Sequence, residues 1–245
     1  STKPAGIGQS LPRNEDAALV RGDGRYTDDL SLDGQLHAVF VRSPYAHGVI
    51  RGIDVVAARE MPGVVAVYTA GDLEGQGYGA LTCNVDIANR DGSPMKRPLR
   101  RALTADKVRY VGDPVAMVVA LGAVQAREAA EAVALDIEVL PAVTSAEEAL
   151  APGAPELFDD VPGNLILDYQ FGDSAKVSAA FAAAAHVARL RIVNNRIVVN
   201  PLEPRAAIGT YDRKSGRYTL HAPSQGAFGM RNSLASAMGV PHARM

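Results

Sequence analysis

Residues 108–140 constrain the fold more than any other stretch of this chain. VRYVGDPVAMVVA (residues 108–120) reads as a strand, a Gly-Asp-Pro turn and a second strand whose near-continuous apolar run suits burial on both faces. AVQAREAAEAV follows as an Ala-rich helix, and ALDIEVLP as a strand closed by Pro141. A β–α–β succession of this kind must find a sheet to join, and the flanking sequence offers partners. QLHAVFVRS (residues 35–43) alternates around Leu36, Ala38 and Phe40, and HGVIRGID and VVAVYTA (residues 64–70) are further β-rich runs. Between them Asp54 is placed to cap a short helix, VVAAREM, which Pro62-Gly63 ends, and GDL after residue 70 reads as a turn. Strands and helices mixed in this way give an α+β chain.

The rest of the chain is less regular. Residues before 31 are polar, punctuated by glycine, and read as an extended arm. Residues 74–101 show no sustained period and form a long loop, whose Arg/Lys cluster at 96–101 suits a solvated surface. Residues 141–164 are rich in Pro and acids and read as a linker. Beyond it, Asp173 or Ser174 caps a helix with Val177, Phe181 and Ala184 on one face. A strand is expected from Val187, others at RIVVN (residues 196–200), AAIGTYD and SGRYTLHA. A last helix carries Met230, Leu234 and Met238 at i, i+4 and i+8, with Gly239 as its stop before Pro241.

Composition excludes several function classes. A formal net charge of −2 argues against a nucleic-acid partner, which would favour a basic face. No apolar run approaches the roughly 20 residues of a membrane span, and the first residues show no signal-peptide pattern, so a cytoplasmic protein is expected. The single cysteine, Cys83, cannot form an intrachain disulfide or hold an iron–sulfur cluster alone, and reads as a core or loop residue. GQGYG (residues 75–79) lacks the Lys-Ser/Thr of a P-loop, and the five histidines lack zinc spacing, so no metal site is expected from this chain's own side chains. Asp28 and Asp29 are adjacent, point opposite ways in an extended segment, and suit a turn rather than acid–base work.

Two stretches remain as candidates. In NPLEPRAAIGTYD, Pro201 and Pro204 fix the backbone around Glu203 and Arg205, which suits a site wall or an ion pair as much as a structural role. Gln225-Gly226 stands where strand RYTLHA hands over to the last helix. A helix start offers free N–H groups and a positive dipole end, the Gln amide adds one donor and one acceptor, and Gly226 and Gly229 let a bulky ligand approach the backbone. Ser224 as a plain helix cap accounts for much of the same pattern.

Taken together, IGQSLPRNEDAALVRGDGRYTDDL, LHAVFVRSPYAHGVI, MPGVVAVYTAGDL, ADKVRYVGDPVAMVVA, ALDIEVLPAV, LEPRAAIGTYD and SQGAFGMRNSLASAMGVP run in an order that resembles one family. It is the large, molybdenum-binding subunit of the xanthine dehydrogenase, aldehyde oxidase and carbon monoxide dehydrogenase group; the arm and RSPYAH look most like the carbon monoxide dehydrogenase type. The resemblance implies an arm over residues 1–19, an α/β hammerhead domain over 20–140, a linker over 141–164, and over 165–245 the start of a molybdopterin-binding domain. It implies that Gln225 reaches the apical oxo group of molybdenum, with Gly226 beside the cofactor, and that LEPR is a nearby wall to which no catalytic role is carried.

The chain reaches Met245 before the family's GGxFGxK loop and catalytic glutamate, so the expectation is the N-terminal portion of a large subunit, inactive alone. The complete subunit would carry molybdopterin with molybdenum, in a cytosine dinucleotide form. FAD and iron–sulfur centres would sit on partner domains or subunits, and an aldehyde, N-heterocycle or carbon monoxide would be oxidised with water as oxygen source. The isolated chain is not required to hold cofactor. The alternative is a non-catalytic scaffold or assembly module of the same fold.

Overall fold

The structure, a computed structural model, describes residues 8, 10–81, 83, 85–201 and 203–245. Residues 1–7 and 9 of the arm, residues 82 and 84 of the long loop, and Leu202 of the LEPR segment therefore lie outside the described residues. In chain order the strands are β1 (His37–Arg42), β2 (Gly48–Asp54), β3 (Val64–Thr69), β4 (Lys107–Val108), β5 (Pro114–Ala120), β6 (Ala134–Val139), β7 (Ile208–Asp212) and β8 (Arg217–His221). The helices are α1 (Asp16–Leu19), α2 (Val56–Arg59), α3 (Ala70–Gly75), α4 (Ala123–Glu131), α5 (Ala146–Ala149), α6 (Ser174–Ala183) and α7 (Ala227–Met238).

β5 is the central strand of a sheet ordered β1-β5-β3, antiparallel to both neighbours. Val115, Ala116, Val118 and Ala120 are fully buried, as the continuous apolar run of the sequence requires. Val118 pairs with Val39 on one side and Val67 on the other. α4 covers this sheet with Ala126 and Ala129, small enough to let helix and sheet approach closely. A second antiparallel sheet, β4-β2-β6, adds Val108, Ile50, Ile53, Leu135 and Ile137 to the same core. At Gly48 this sheet tolerates no side chain: a Cβ there would stand 2.6 Å from Ile137 and 2.9 Å from the Glu138 carbonyl.

The β5–α4–β6 succession is present, but its two strands belong to different sheets, so α4 bridges two sheets rather than crossing over within one. The Gly-Asp-Pro turn that feeds β5 is held by a buried carboxylate. Asp113 accepts from the Thr104 hydroxyl at 2.8 Å and the Arg109 N–H at 3.0 Å, while its own carbonyl accepts from Ser43 N at 2.9 Å.

Several expectations need correction. The strand expected around Leu36, Ala38 and Phe40 is β1, and its core-facing residues are Val39 and Val41, while Phe40 is 44% exposed and Leu36 and Ala38 also face outward. Both faces of this strand carry apolar residues, so alternation alone cannot choose between them; α4 decides it by covering one. The GDL turn is the helix α3, because Asp72 accepts from both the N–H (2.7 Å) and hydroxyl (2.8 Å) of Thr69 and closes a capping box. The arm contains α1 and a 3₁₀ turn at Thr27–Asp29, and the linker contains α5. The linker also packs: Val161 is buried, Phe158 lies under Arg109, and Lys107 pairs with Asp159 at 2.8 Å. The strands expected from Val187 and at residues 196–200 are not formed.

Two outcomes follow for stability. Asp113→Ala leaves a buried hydroxyl and an N–H without their acceptor, and is expected to cost roughly 2–3 kcal/mol by urea denaturation. Hydrogen bonds from Thr69 hold the Asp72 carboxyl below its ordinary value, with Arg59 adding a smaller charge effect. That stabilisation is complete above the unfolded-state value and is lost as pH falls through the lower folded one. Asp72→Asn should therefore lower Tm at pH 7, with the gap to the parent chain closing below about pH 4.

Candidate functional site

β7 and β8 form a two-stranded hairpin in full register from Ile208↔His221 to Asp212↔Arg217. Its turn is closed by Asp212, which accepts from the Ser215 hydroxyl at 2.6 Å and from Lys214 N at 2.9 Å. The Ser215 bond, then the Lys214 bond, holds the Asp212 carboxyl below its usual range. Tyr211 and Tyr218 stack across the hairpin with ring centroids 4.6 Å apart. Arg244 folds back to donate to the Gly216 carbonyl at 2.8 Å and lies over Tyr218.

From β8 the chain passes through residues 222–226 into α7, with Gly226 as the residue before the first turn. Gly226 O accepts from Met230 N at 3.2 Å. Ser224 does not cap the helix: no side chain accepts at its start, and the N–H groups of the first turn have no partner among the described residues. Gln225 and Gly226 are both exposed, and a Cβ added at Gly226 or Gly229 would meet nothing within 4 Å. The helix start is thus open to a bulky group, and its donor set of backbone N–H groups plus one amide suits oxygen-rich, anionic ligands. At the other end Gly239 takes the left-handed conformation (φ 65°), and Val240 N closes the helix on Ala235 O at 3.0 Å.

Beside this start, a crevice of about 310 Å³ opens between β8 and α7, floored by Tyr218, Leu220, Phe228, Met230 and Leu234. Arg231 lies at its edge over the Phe228 ring, with Nε and Nη2 on the Asn232 side-chain oxygen at 3.2 and 3.1 Å. Ser224 and Ala227 line the crevice; Gln225 and Gly226 do not, and sit on the rim. Phe228 and Arg231 escaped the sequence reading because they fall off the Met230/Leu234/Met238 stripe. Among the described residues no group of three or more His, Cys, Asp or Glu is placed to hold a metal ion.

The other candidates separate from this one. Glu203 accepts from both N–H (3.2 Å) and hydroxyl (3.3 Å) of Thr27, so it ties the arm to the segment preceding β7. Arg205 lines a wide cleft of about 920 Å³ against His37, Phe40 and Arg42. Asp28 and Asp29 lie in the 3₁₀ turn, where Asp29 accepts from Tyr26 N at 2.9 Å. In the Arg/Lys cluster, Arg97 pairs with Asp86 and Arg101 with Glu74. Cys83 is an exposed loop residue. α7 itself is anchored to the rest of the chain: Gly79 N donates to Ala237 O at 2.7 Å, and Leu234, Ala237 and Met238 face Phe40, Leu73 and Met117 across an apolar cavity of about 310 Å³.

The architecture and this handover fall within two family models. Residues 21–141 match the aldehyde oxidase and xanthine dehydrogenase a/b hammerhead domain, and residues 157–245 match the molybdopterin cofactor-binding domain. The chain belongs to the aldehyde oxidase and xanthine dehydrogenase family. It is 36% identical over 240 residues to the nicotine 6-hydroxylase large subunit of Paenarthrobacter nicotinovorans, covering 97% of this chain and 28% of that protein. It is 32% identical to the carbon monoxide dehydrogenase large chain of Hydrogenophaga pseudoflava, covering 98% of this chain and 30% of that one. Among solved structures, quinoline 2-oxidoreductase from Pseudomonas putida 86 superposes with a TM-score of 0.81 at 31% identity, over 99% of this chain and 30% of that one. The Cu,Mo carbon monoxide dehydrogenase in its carbon-monoxide-reduced state gives 0.82 at 30% identity, over 98% and 30%. This chain thus spans about three-tenths of the length of the relatives it matches. Among its described residues no helix is long and apolar enough to cross a membrane.

A double-mutant cycle checks the arm contact. Thr27→Val and Glu203→Ala are expected to be coupled by about 1 kcal/mol in chemical denaturation, the size of one net hydrogen bond; independent effects would remove the tie.

Proposed function

We propose that this chain is the N-terminal portion of the large subunit of a molybdenum-cofactor oxidoreductase, and that Gln225 and Gly226 form one wall of the cofactor site. The observation that carries the reading is the start of α7. Its first-turn N–H groups have no partner among the described residues, no Cβ crowds it, and the exposed Gln225 amide stands beside it, all within the residues matched by the molybdopterin cofactor-binding model. When bound, the cofactor would supply two-electron redox chemistry at molybdenum, with water as the oxygen source.

This chain's own contribution is positioning and electrostatics. Gln225 would offer its amide donor to an oxygen of the bound group, and the positive end of α7 would favour the group's anionic parts. Gly226 and Gly229 keep the approach clear. α7 is tied to the first part of the chain where Gly79 N donates to Ala237 O, which places this wall relative to the rest of the structure. The domain limits in this reading are 1–19, 20–140, 141–164 and 165–245. The substrate class is an aldehyde, an N-heterocycle or carbon monoxide, in line with the names of the relatives. The cofactor is a cytosine dinucleotide form of molybdopterin. Electrons leave to iron–sulfur and flavin centres on partner domains or subunits, because the single cysteine of this chain cannot hold a cluster.

The test is Gln225→Ala in the complete molybdenum-containing enzyme purified from its native source. The expected result is a fall in kcat of roughly 10²–10³ with molybdenum content retained, the cost of removing one preorganised donor. Unchanged turnover would leave the non-catalytic scaffold as the better description.

A further inference from the structure

An aspartate followed by glycine is a chemically weak step in a polypeptide. Glycine has no Cβ to shield its nitrogen and moves freely, so that nitrogen can attack the carboxyl carbon of the residue before it. No asparagine in this chain precedes glycine, and three aspartates do: Asp23-Gly24, Asp33-Gly34 and Asp91-Gly92. All three aspartates are exposed, so solvent access does not separate them. Their hydrogen bonds do.

Asp91-Gly92 is held at both reacting groups. The Asp91 carboxylate accepts from Ser93 N at 2.9 Å and from the Ser93 hydroxyl at 2.7 Å, while Gly92 N donates to Asn89 O at 2.9 Å. The Ser93 hydroxyl, then its N–H, holds the Asp91 carboxyl below its ordinary value and so depletes the uncharged form that can be attacked. Asp23 accepts from Arg21 Nε at 3.0 Å, and its own N–H donates to Ala18 O at 2.9 Å. Gly24 is packed against Leu19, whose Cδ2 would stand 2.7 Å from a Cβ placed there. Asp33-Gly34 has none of these restraints. Gln35 closes the turn around it, donating its N–H to Leu32 O and accepting from Leu32 N on its side-chain oxygen, both at 3.1 Å. Gly34 takes φ 72°, as the third residue of a type II turn requires, and a Cβ on it would meet nothing within 4 Å. Among the described residues neither the Asp33 carboxyl nor Gly34 N has a hydrogen-bond partner.

We propose that Asp33-Gly34 is the step at which this chain isomerises spontaneously to isoaspartate. Gly34 N bonds to Cγ of Asp33, a carboxyl C–O bond breaks, and the hydroxyl leaves with the amide proton as water, closing a succinimide ring. Water then adds at the main-chain carbonyl carbon of residue 33 and the bond from that carbon to Gly34 N breaks, so the chain runs on through Cγ. One water is lost and one regained, and no electrons are transferred. The product carries an extra methylene in the main chain and a free α-carboxylate, which is the methyl acceptor for a carboxyl methyltransferase that recognises isoaspartate and uses S-adenosylmethionine. The extra methylene falls inside the turn held by Leu32 and Gln35, just ahead of β1 at His37. Asp33, Gly34 and Gln35 also line the cleft that Arg205 faces, so the modification reshapes that wall and the entry to β1.

The complete enzyme from the native source is aged at neutral pH beside its Asp33→Glu variant, whose longer side chain disfavours ring closure. Isoaspartate is located by peptide mapping with electron-transfer fragmentation, and totalled by methyl uptake from S-adenosylmethionine with an isoaspartate-specific carboxyl methyltransferase. The expected result is that residue 33 leads residues 23 and 91 by at least about fivefold, the factor for one hydrogen bond that has to break first. Asp33→Glu is expected to remove most of the methyl uptake. Isoaspartate led by residue 23 or 91 overturns the inference, as does undiminished methyl uptake in the Asp33→Glu enzyme. An aged enzyme without isoaspartate at residue 33 overturns it too, even where the isolated 245-residue chain is modified there.

Discussion

The structure depends on the burial of β5. It is the one strand with neighbours on both sides in the first sheet and with α4 laid across it, and Val115, Ala116, Val118 and Ala120 are removed from water together. Each such valine is worth about 1.5–3 kcal/mol relative to leaving it exposed. The strand can be inserted only if the chain turns sharply before it, and Asp113 holds that turn through Thr104 and Arg109. The same Arg109 donates to the Leu157 carbonyl and covers Phe158, so the hub of the first unit also pins the connecting segment that leads out of it.

Against that rigid frame the second region is held at few points. Glu203 takes the N–H and hydroxyl of Thr27, Arg90 pairs with Asp168 at 2.9 Å, and Gly79 donates to Ala237. Of these, only the Gly79 contact reaches α7, near its C-terminal end and away from Gln225. The two parts differ in burial: one owns a core, while the other presents a hairpin, two helices and an extended segment with few buried residues. Gln225 and Gly226 are exposed, which leaves the start of α7 open to a group approaching from outside.

Much of this was legible in the chain. The unbroken run in PVAMVVA announced a strand buried on both faces, and the Ala-rich helix after it announced close packing. Gly239 announced the end of α7. The errors have definite physical origins. β1 is apolar on both faces, so periodicity could not say that Val39 and Val41 rather than Phe40 face the core. GDL became a helix because Thr69 and Asp72 cap one another, a local bond stronger than the turn tendency of glycine. Val187 and RIVVN have the side chains of strands but lack a partner here, and a strand is a pairing rather than a property of one segment.

The sequence by itself determined the strands β1 to β3 and β5 to β8, the helices α2, α4, α6 and α7, and the chemical character of the Gln225-Gly226 handover, because periodicity and glycine placement act within a few residues of one another. Only the tertiary structure decided which face of β1 is inside, that β5 and β6 belong to different sheets, that Glu203 accepts from Thr27, and that Ser224 leaves the start of α7 uncapped. Each of those depends on what a side chain meets from a distant part of the chain, and no local pattern carries that information.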